Sequence, residues 1–369
     1  MAVVLKIGSN VATDESGELR EDVLGSITAQ AAGLHKAGTD VVLVTSGAIS
    51  RGTKLLGLPA RPSAMAELQA SSAVGQGQVY RRYDELLAAH GVRTAQILLT
   101  FGDMSARANY VNARRTLRKL LEWHVVPVIN ENDTTATDEI SFGDNDFLAA
   151  QVAILVRAER LVLATDIDSL YTADPHKNPA AKPISRVDDF AQLDRLEIGD
   201  SASGIGSGGM RSKVAAAEIA TAGGIPVVVC SGKKDGAVGR AAAGIETEGT
   251  HFTPHERPHS SFKLWLRYAK ETRGTITIDQ GAVRALREQG TSLLPVGIVG
   301  VSGEFFAGDA VEIASTANGA EPVGKGIVNY SAEELTRIKG MKSQQVQELM
   351  PRATDEAVHR DNLVLTRFR

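Results

Sequence analysis

The 369-residue chain contains one cysteine, two tryptophans and only 5% aromatic residues. A single thiol rules out a disulfide framework within the chain and suits a reducing compartment. Nowhere do 18 apolar residues follow one another, so no helical membrane span is expected. Neither sign of charge is in marked excess: 40 lysines and arginines face 44 acids, a formal charge of −4. That balance argues against wholesale nucleic-acid binding and against a polybasic membrane anchor. Several catalytic signatures are also missing. There is no Walker A loop, no Gly-x-Ser-x-Gly elbow and no Cys/His cluster. His251, His255 and His259 are evenly spaced, but Pro254 and Pro258 interrupt any helix that would align them, so no zinc site is expected. The chain starts on a strand-like segment at Val3 that meets Lys6 at once, not on a charged-then-apolar leader. The expectation is a cytoplasmic protein.

What is present is an alternation. Short apolar, β-branched runs occur at 3–7, 41–44, 97–100, 125–129, 161–164 and 225–230. Continuous apolar runs mark strands covered on both faces; Cys230, inside one of them, reads as a small buried hydrophobe. Stretches of helical composition lie between, at 22–37, 64–89, 113–122, 146–156 and 210–222. This rhythm predicts an α/β fold with a mainly parallel sheet and helices on both faces, with ligands beyond the carboxyl ends of the strands. The pattern breaks near Gly249. His251 to Arg273, rich in proline and histidine, reads as a linker followed by a tryptophan-bearing strand. Short runs separated by glycines follow, the signature of a small barrel or half-barrel. Ser331-Ala-Glu-Glu334 forms a capping box for a helix that Gly340 closes, and 363–365 is a further possible strand. The boundaries expected are a large domain at 1–255, a linker at 256–272, a small β-rich domain at 273–350 and a tail at 351–369.

The strand ends carry the candidate chemistry. Lys6-Ile7-Gly8-Ser9-Asn10 can project a fixed positive charge over the sheet edge, or hold an ordinary surface lysine. In Thr45-Ser46-Gly47-Ala48, Gly47 frees the turn amides and a following helix would aim its N-terminus at an anion; a plain N-cap serine is the competing reading. The acidic loops Asn130-Glu131-Asn132-Asp133 and Gly143-Asp144-Asn145-Asp146 can bind a substrate ammonium or hydrated magnesium, although carboxylates at a helix start also favour the dipole. Gly204 to Gly209 matches the dinucleotide fingerprint formally, but no strand precedes it. A glycine loop entering a helix with Lys213 one turn in makes a phosphate nest, or a plain flexible loop.

Six motifs stand in a fixed order: Lys6-Ile-Gly-Ser, Val44-Thr-Ser-Gly-Ala-Ile, Pro127-Val-Ile-Asn-Glu-Asn-Asp, Gly143-Asp-Asn-Asp, Thr165-Asp-x-x-x-Leu-Tyr-Thr-Ala-Asp-Pro and Gly208-Gly-Met-x-x-Lys213. Together they resemble the amino-acid kinase family, in the branch that phosphorylates glutamate. Gly274-Thr-Ile-Thr-Ile-Asp, Ser292-Leu-Leu-Pro-x-Gly-Ile and Gly308-Asp resemble a PUA domain. The resemblance implies a three-layer α/β/α sandwich followed by a PUA domain. The implied reaction is transfer of the γ-phosphoryl group of ATP to the side-chain carboxylate of L-glutamate, the committing step towards proline. By the same resemblance, Lys6 and Lys213 contact the phosphates, and Asp146 holds the lysines and the magnesium environment in place. Ser46, Asp133 and Asn145 bind glutamate. Thr165, Asp166, Ser207, Gly208, Gly209, Met210, Arg211, Ser212 and Lys213 line the ATP site. ATP and Mg²⁺ are the implied cofactors, with no protein metal site. Proline as feedback inhibitor and a homodimer or homotetramer are implied as well. Asn10 departs from the family's pattern, where serine is frequent.

The chemistry agrees. A glutamate side chain, with an unperturbed pKa of about 4.3, is already ionised at neutral pH, so no general base is needed. The task is to bring a carboxylate up to an anionic triphosphate and stabilise charge on the transferring phosphoryl oxygens. Sibling kinases of aspartate, N-acetylglutamate, carbamate or UMP are the rival enzyme readings. An RNA-binding role for the small domain is the rival from another class. From Glu271 onward 11 lysines and arginines face 13 acids, so the basic stripe such binding needs is missing.

Overall fold

The computed structural model describes residues 1–135, 145–173, 178, 180–193, 210–256, 263, 266–267, 270, 272–316, 321–350 and 356–366. The chain divides into two compact units, Met1–His259 and Ser260–Arg369.

In the first unit the six apolar runs become β1 (Ala2–Ile7), β2 (Asp40–Val44), β3 (Thr94–Leu99), β4 (Val126–Glu131), β5 (Arg160–Thr165) and, after three short strands, β9 (Val227–Ser231). Of the short ones, β6 (Leu170–Tyr171) and β7 (Pro183–Ile184) pair with each other, whereas β8 (Arg186–Val187) joins the main sheet. With β10 (Thr250–Phe252) the main sheet has the order β3-β4-β2-β1-β5-β9-β10-β8. From β3 to β9 all neighbours are parallel, and β10 turns antiparallel to β9. The residues expected to open a linker are therefore partly sheet: His251 and Phe252 pair with Val228 and Val227. Burial is the reason, since Phe252 is fully enclosed and stacks on Phe190 with centroids 5.7 Å apart. A three-residue strand offers no period to read. The run at 97–100 also differs from expectation, because β3 is an edge strand and Leu98 is 38% exposed.

Nine helices are described in this unit. α1 (Ser9–Ala12), α2 (Glu21–Lys36), α3 (Ala48–Leu55), α4 (Met65–Ala88) and α5 (Phe101–Ser105) are followed by α6 (Arg107–Glu122), α7 (Asn145–Val156), α8 (Met210–Ala222) and α9 (Ala237–Ala242). Strand alternation sorts the layers. Val3, Leu5 and Ile7 of β1 join a core with Leu24 and Ile27 of α2, Tyr83 and Leu87 of α4 and Val238 of α9. The intervening Val4 and Lys6 face the other layer, where α7 lies against β1 and α8 against α7. α7 is apolar nearly all round and buried at every position but Phe147, as a helix enclosed between sheet and neighbours must be. The result is three layers, α/β/α.

The second unit is a five-stranded sheet. Its strands are β11 (Thr272–Ile278), β12 (Ile298–Gly303), β13 (Ala310–Ser315), β14 (Pro322–Ile327) and β15 (Leu363–Leu365), in the order β12-β11-β13-β14-β15. Ile276, Ile278, Ile313, Leu335 and Ile338 share its core. The helix Ala332–Ile338 starts at the Ser331–Glu334 capping box, and Gly340 follows it with φ +77°. β15 draws the tail segment into this sheet by pairing with β14.

Candidate active site

At the carboxyl ends of the parallel strands, charged and amide side chains gather where the apolar layers stop. Lys6 lies beside Val44 of β2 and Leu163 of β5, in the middle of the sheet, and is only 1% exposed. An ammonium there is costly unless paired. Its partner is Asp146, in the first turn of α7 and equally enclosed, whose Oδ1 lies 2.5 Å from the Lys6 Nζ. The other oxygen, Oδ2, meets the Nζ of Lys213 at 3.1 Å and accepts from the Ser212 hydroxyl at 3.3 Å. Lys213 is 6% exposed. Two strand- and helix-borne cations thus converge on one carboxylate, and the triad carries a net positive charge in a poorly hydrated place. Gly8 borders this place without a side chain. A Cβ on it would stand 3.3 Å from the Ala164 carbonyl and 3.9 Å from the Lys6 Nζ.

Beyond β2 and β4 the groups are acceptors and amides. Ser46 is buried at the end of β2, and Gly47 turns into α3 with φ +98°, a left-handed conformation that favours glycine. Asn145 donates from Nδ2 to the Thr45 carbonyl and, at 2.6 Å, to Asn130 Oδ1. Asn130 in turn donates to Gln76 Oε1. The Asp133 carboxylate accepts from the Ser72 hydroxyl at 2.5 Å. Burial pushes the Asp133 carboxyl above its ordinary range, opposed by the Ser72 hydrogen bond and the positive charge of Arg61. Burial, with the negative charge of Asp133 adding to it, pushes neighbouring Glu131 up to about 7.

On the β5 side, Thr165 is buried and its hydroxyl donates to Asp166 Oδ1 at 3.1 Å. Asn10 donates to Asp166 Oδ2 at 3.0 Å. Burial works against ionisation of Asp166, but these hydrogen bonds, with the charge of Lys233, outweigh it and hold the carboxyl below its usual range. Asn10 therefore has a defined task here as a tether between α1 and the end of β5.

The structure brings together Lys6, Asp146, Ser212 and Lys213 in one cluster, and Asp133 and Asn145 each enter a hydrogen-bonded pair or chain at the same strand ends. Met210 opens α8. Ser207, Gly208 and Gly209, together with Gly143 and Asp144, lie outside the described residues, as does the side chain of Arg211. Sequence reasoning passed over Ser72 and Gln76. The available signal was weak: two polar residues one turn apart on a helix that must bury one face. Among the described residues no group of three or more His, Cys, Asp or Glu could hold a metal ion. The buried carboxylate nearest the lysines already has an ammonium on each oxygen. No described helix is long and apolar enough to cross a membrane.

With the geometry in view, comparison with known proteins is consistent along the whole chain. The amino acid kinase family matches residues 1–231 and the PUA domain matches residues 274–350. The glutamate 5-kinase of Synechococcus sp. (strain JA-3-3Ab) is 49% identical over 365 residues, covering 98% of each chain. That of Streptomyces coelicolor is 46% identical, covering 98% of this chain and 96% of the relative. That of Thermus thermophilus is 44% identical with the same coverages, 98% and 96%. The likeness spans sheet, site and small domain together, and the chain accordingly belongs to the amino acid kinase family, within its glutamate 5-kinase group, with a PUA domain behind the kinase domain.

Proposed function

We propose that this chain transfers the γ-phosphoryl group of ATP to the side-chain carboxylate of L-glutamate, giving L-glutamyl 5-phosphate, the first step towards proline. The observation that carries the reading is the single carboxylate of Asp146 flanked by Lys6 and Lys213. Both reactants are anions, and the acceptor is ionised without help, so what a catalyst must supply is positive charge fixed in advance. Asp146 fixes it. The carboxylate aims both ammonium groups and screens them from each other, while leaving the triad one positive charge in excess to meet a phosphoryl group. No histidine is needed as a base.

In this reading Thr165, Asp166 and residues 207–213 line the ATP site. Ser46, Asp133 and Asn145 hold glutamate, with Asp133 facing its α-ammonium. Magnesium comes in as part of the substrate, bound to the nucleotide's phosphates, where it neutralises charge; the protein residues orient and bind. The family also supports a cytoplasmic enzyme, inhibition by proline at or near the glutamate pocket, and assembly as a homodimer or homotetramer. The deciding experiment measures Mg²⁺-dependent ADP release from ATP with a panel of L-glutamate, aspartate, N-acetylglutamate, carbamate and UMP, and traps the acyl phosphate formed from the carboxylic acids as its hydroxamate. Glutamate-dependent hydroxamate is expected; preferential turnover of another acceptor overturns the reading.

A further inference from the structure

A primary amide has two N–H donors and one carbonyl acceptor, and which of them faces a ligand depends on what the others are bound to. Both donors of Asn145 are used inside the protein. One goes to the Thr45 carbonyl, which can only accept, and one to Asn130 Oδ1 at 2.6 Å. Asn145 can therefore offer a ligand only its Oδ1, an acceptor. The Thr45 carbonyl fixes this polarity, and the second hydrogen bond that holds the amide in place survives only while Asn130 keeps its oxygen turned towards Asn145. Asn130, 2% exposed at the end of β4, is kept so by its own Nδ2, which donates to Gln76 Oε1 on α4. If Asn130 turned over, two Nδ2 groups would meet in a buried place, and leaving such donors unsatisfied is expensive.

α4 is itself packed closely against α3. A Cβ on Gly75, next to Gln76, would stand 2.0 Å from the Ala48 carbonyl, so the two helices touch backbone to backbone. One turn before Gln76, Ser72 holds the Asp133 carboxylate. The same helix face thus supports Asp133 directly and Asn145 through Asn130, two of the groups proposed to hold glutamate.

We propose that Gln76 is a positioning residue which, through Asn130, locks the Asn145 amide in the orientation that the Thr45 carbonyl selects, and that the acceptor so presented makes the site select an α-ammonium group. The inference rests on the proposed glutamate phosphorylation and deepens it: the selected feature is the substrate's amino group, not its carbon skeleton. Gln76 touches no reacting atom.

The test compares the full chain carrying Gln76→Leu, Gln76→Glu and Gln76→Lys with the wild type, with L-glutamate and with glutarate, which lacks the amino group. Hydroxamate formation is followed at pH 8, where the introduced acid is ionised. Gln76→Leu should raise the glutamate KM about tenfold, leave kcat and the ATP KM within about threefold, and narrow the preference for glutamate over glutarate by the same factor. Gln76→Glu can still accept from Asn130 and should restore the wild-type preference; Gln76→Lys can only donate and should be at least as impaired as the leucine variant. A preference unchanged in the leucine and lysine variants, a loss confined to kcat or to the ATP KM, or a glutamate variant as damaged as leucine overturns the proposal. Should the leucine variant fail to fold, the glutamate–lysine pair decides alone. If the wild type preferentially phosphorylates another acceptor, or makes no acyl phosphate at all, the proposed function fails and this inference with it. If glutamate is the wild-type substrate and the variants behave alike, only this inference fails.

Discussion

Lys6 and Lys213, one in the central strand and the other in the first turn of α8, reach opposite oxygens of the same Asp146 carboxylate, at 2.5 and 3.1 Å. Neither ammonium duplicates the other's contact. Lys213→Ala should lower kcat about 10²- to 10³-fold with an unchanged circular dichroism spectrum, the loss typical of removing one preorganised charge. Steady-state kinetics near the wild-type value would remove Lys213 from the mechanism.

Asp146→Ala should damage the fold as well as the reaction. It leaves two nearly inaccessible ammonium groups without their shared counter-charge, a change that typically costs about 3–5 kcal/mol. A melting temperature matching that of Lys213→Ala would show that Asp146 is not what makes those cations tolerable.

Glu131 gives stability a pH dependence of defined sign. Burial, then the charge of Asp133, raises its carboxyl from 4.5 to about 7, so the folded chain favours the protonated form. That stabilisation is complete below the ordinary carboxylate range and is lost as the pH rises through 7. Between pH 5 and 8 the wild type should therefore lose on the order of 2 kcal/mol more than Glu131→Gln, allowing for screening of a part-exposed group. Parallel melting curves for the two proteins across this range would refute the assignment.

Ser72→Ala removes the hydroxyl that opposes the effect of burial on Asp133, so its carboxyl should move further up. The glutamate KM should then rise more at pH 6 than at pH 8, by a factor of about three to ten, with the ATP KM unaffected. An equal rise at both pH values would place the effect elsewhere.

Asn10→Ala breaks the tether to Asp166 and should raise the ATP KM about threefold to tenfold, leaving the glutamate KM alone. A change confined to glutamate would contradict the position given to Asp166.

The motif residues were legible because each strand end repeats one device: a β-branched run, then a turn carrying glycine or small polar residues. Lys6 stood out at a strand end before a glycine turn and Lys213 one turn into a helix behind a glycine loop, whereas the role of Asp146 came from the resemblance. Their mutual contact was implied by the resemblance alone, since it depends on α7 packing on β1 and α8 packing on α7. Ser72 and Gln76 stayed hidden for a related reason. Their helix shows only which face is buried, and what that face meets depends on the close approach of α3 to α4. β10 escaped notice because a three-residue strand carries no period, although the burial of Phe252 fixes it in the sheet.

The approach of α3 to α4 has a mechanical consequence. Cβ atoms on Gly52 and Gly75 would stand 1.7 Å from the Ser71 carbonyl and 2.0 Å from that of Ala48, so no side chain cushions the seam. The turn that holds Ser46 and the face that carries Ser72 and Gln76 are welded into one lever. With no side chain at these two points to repack, a displacement of one helix has to carry the other with it.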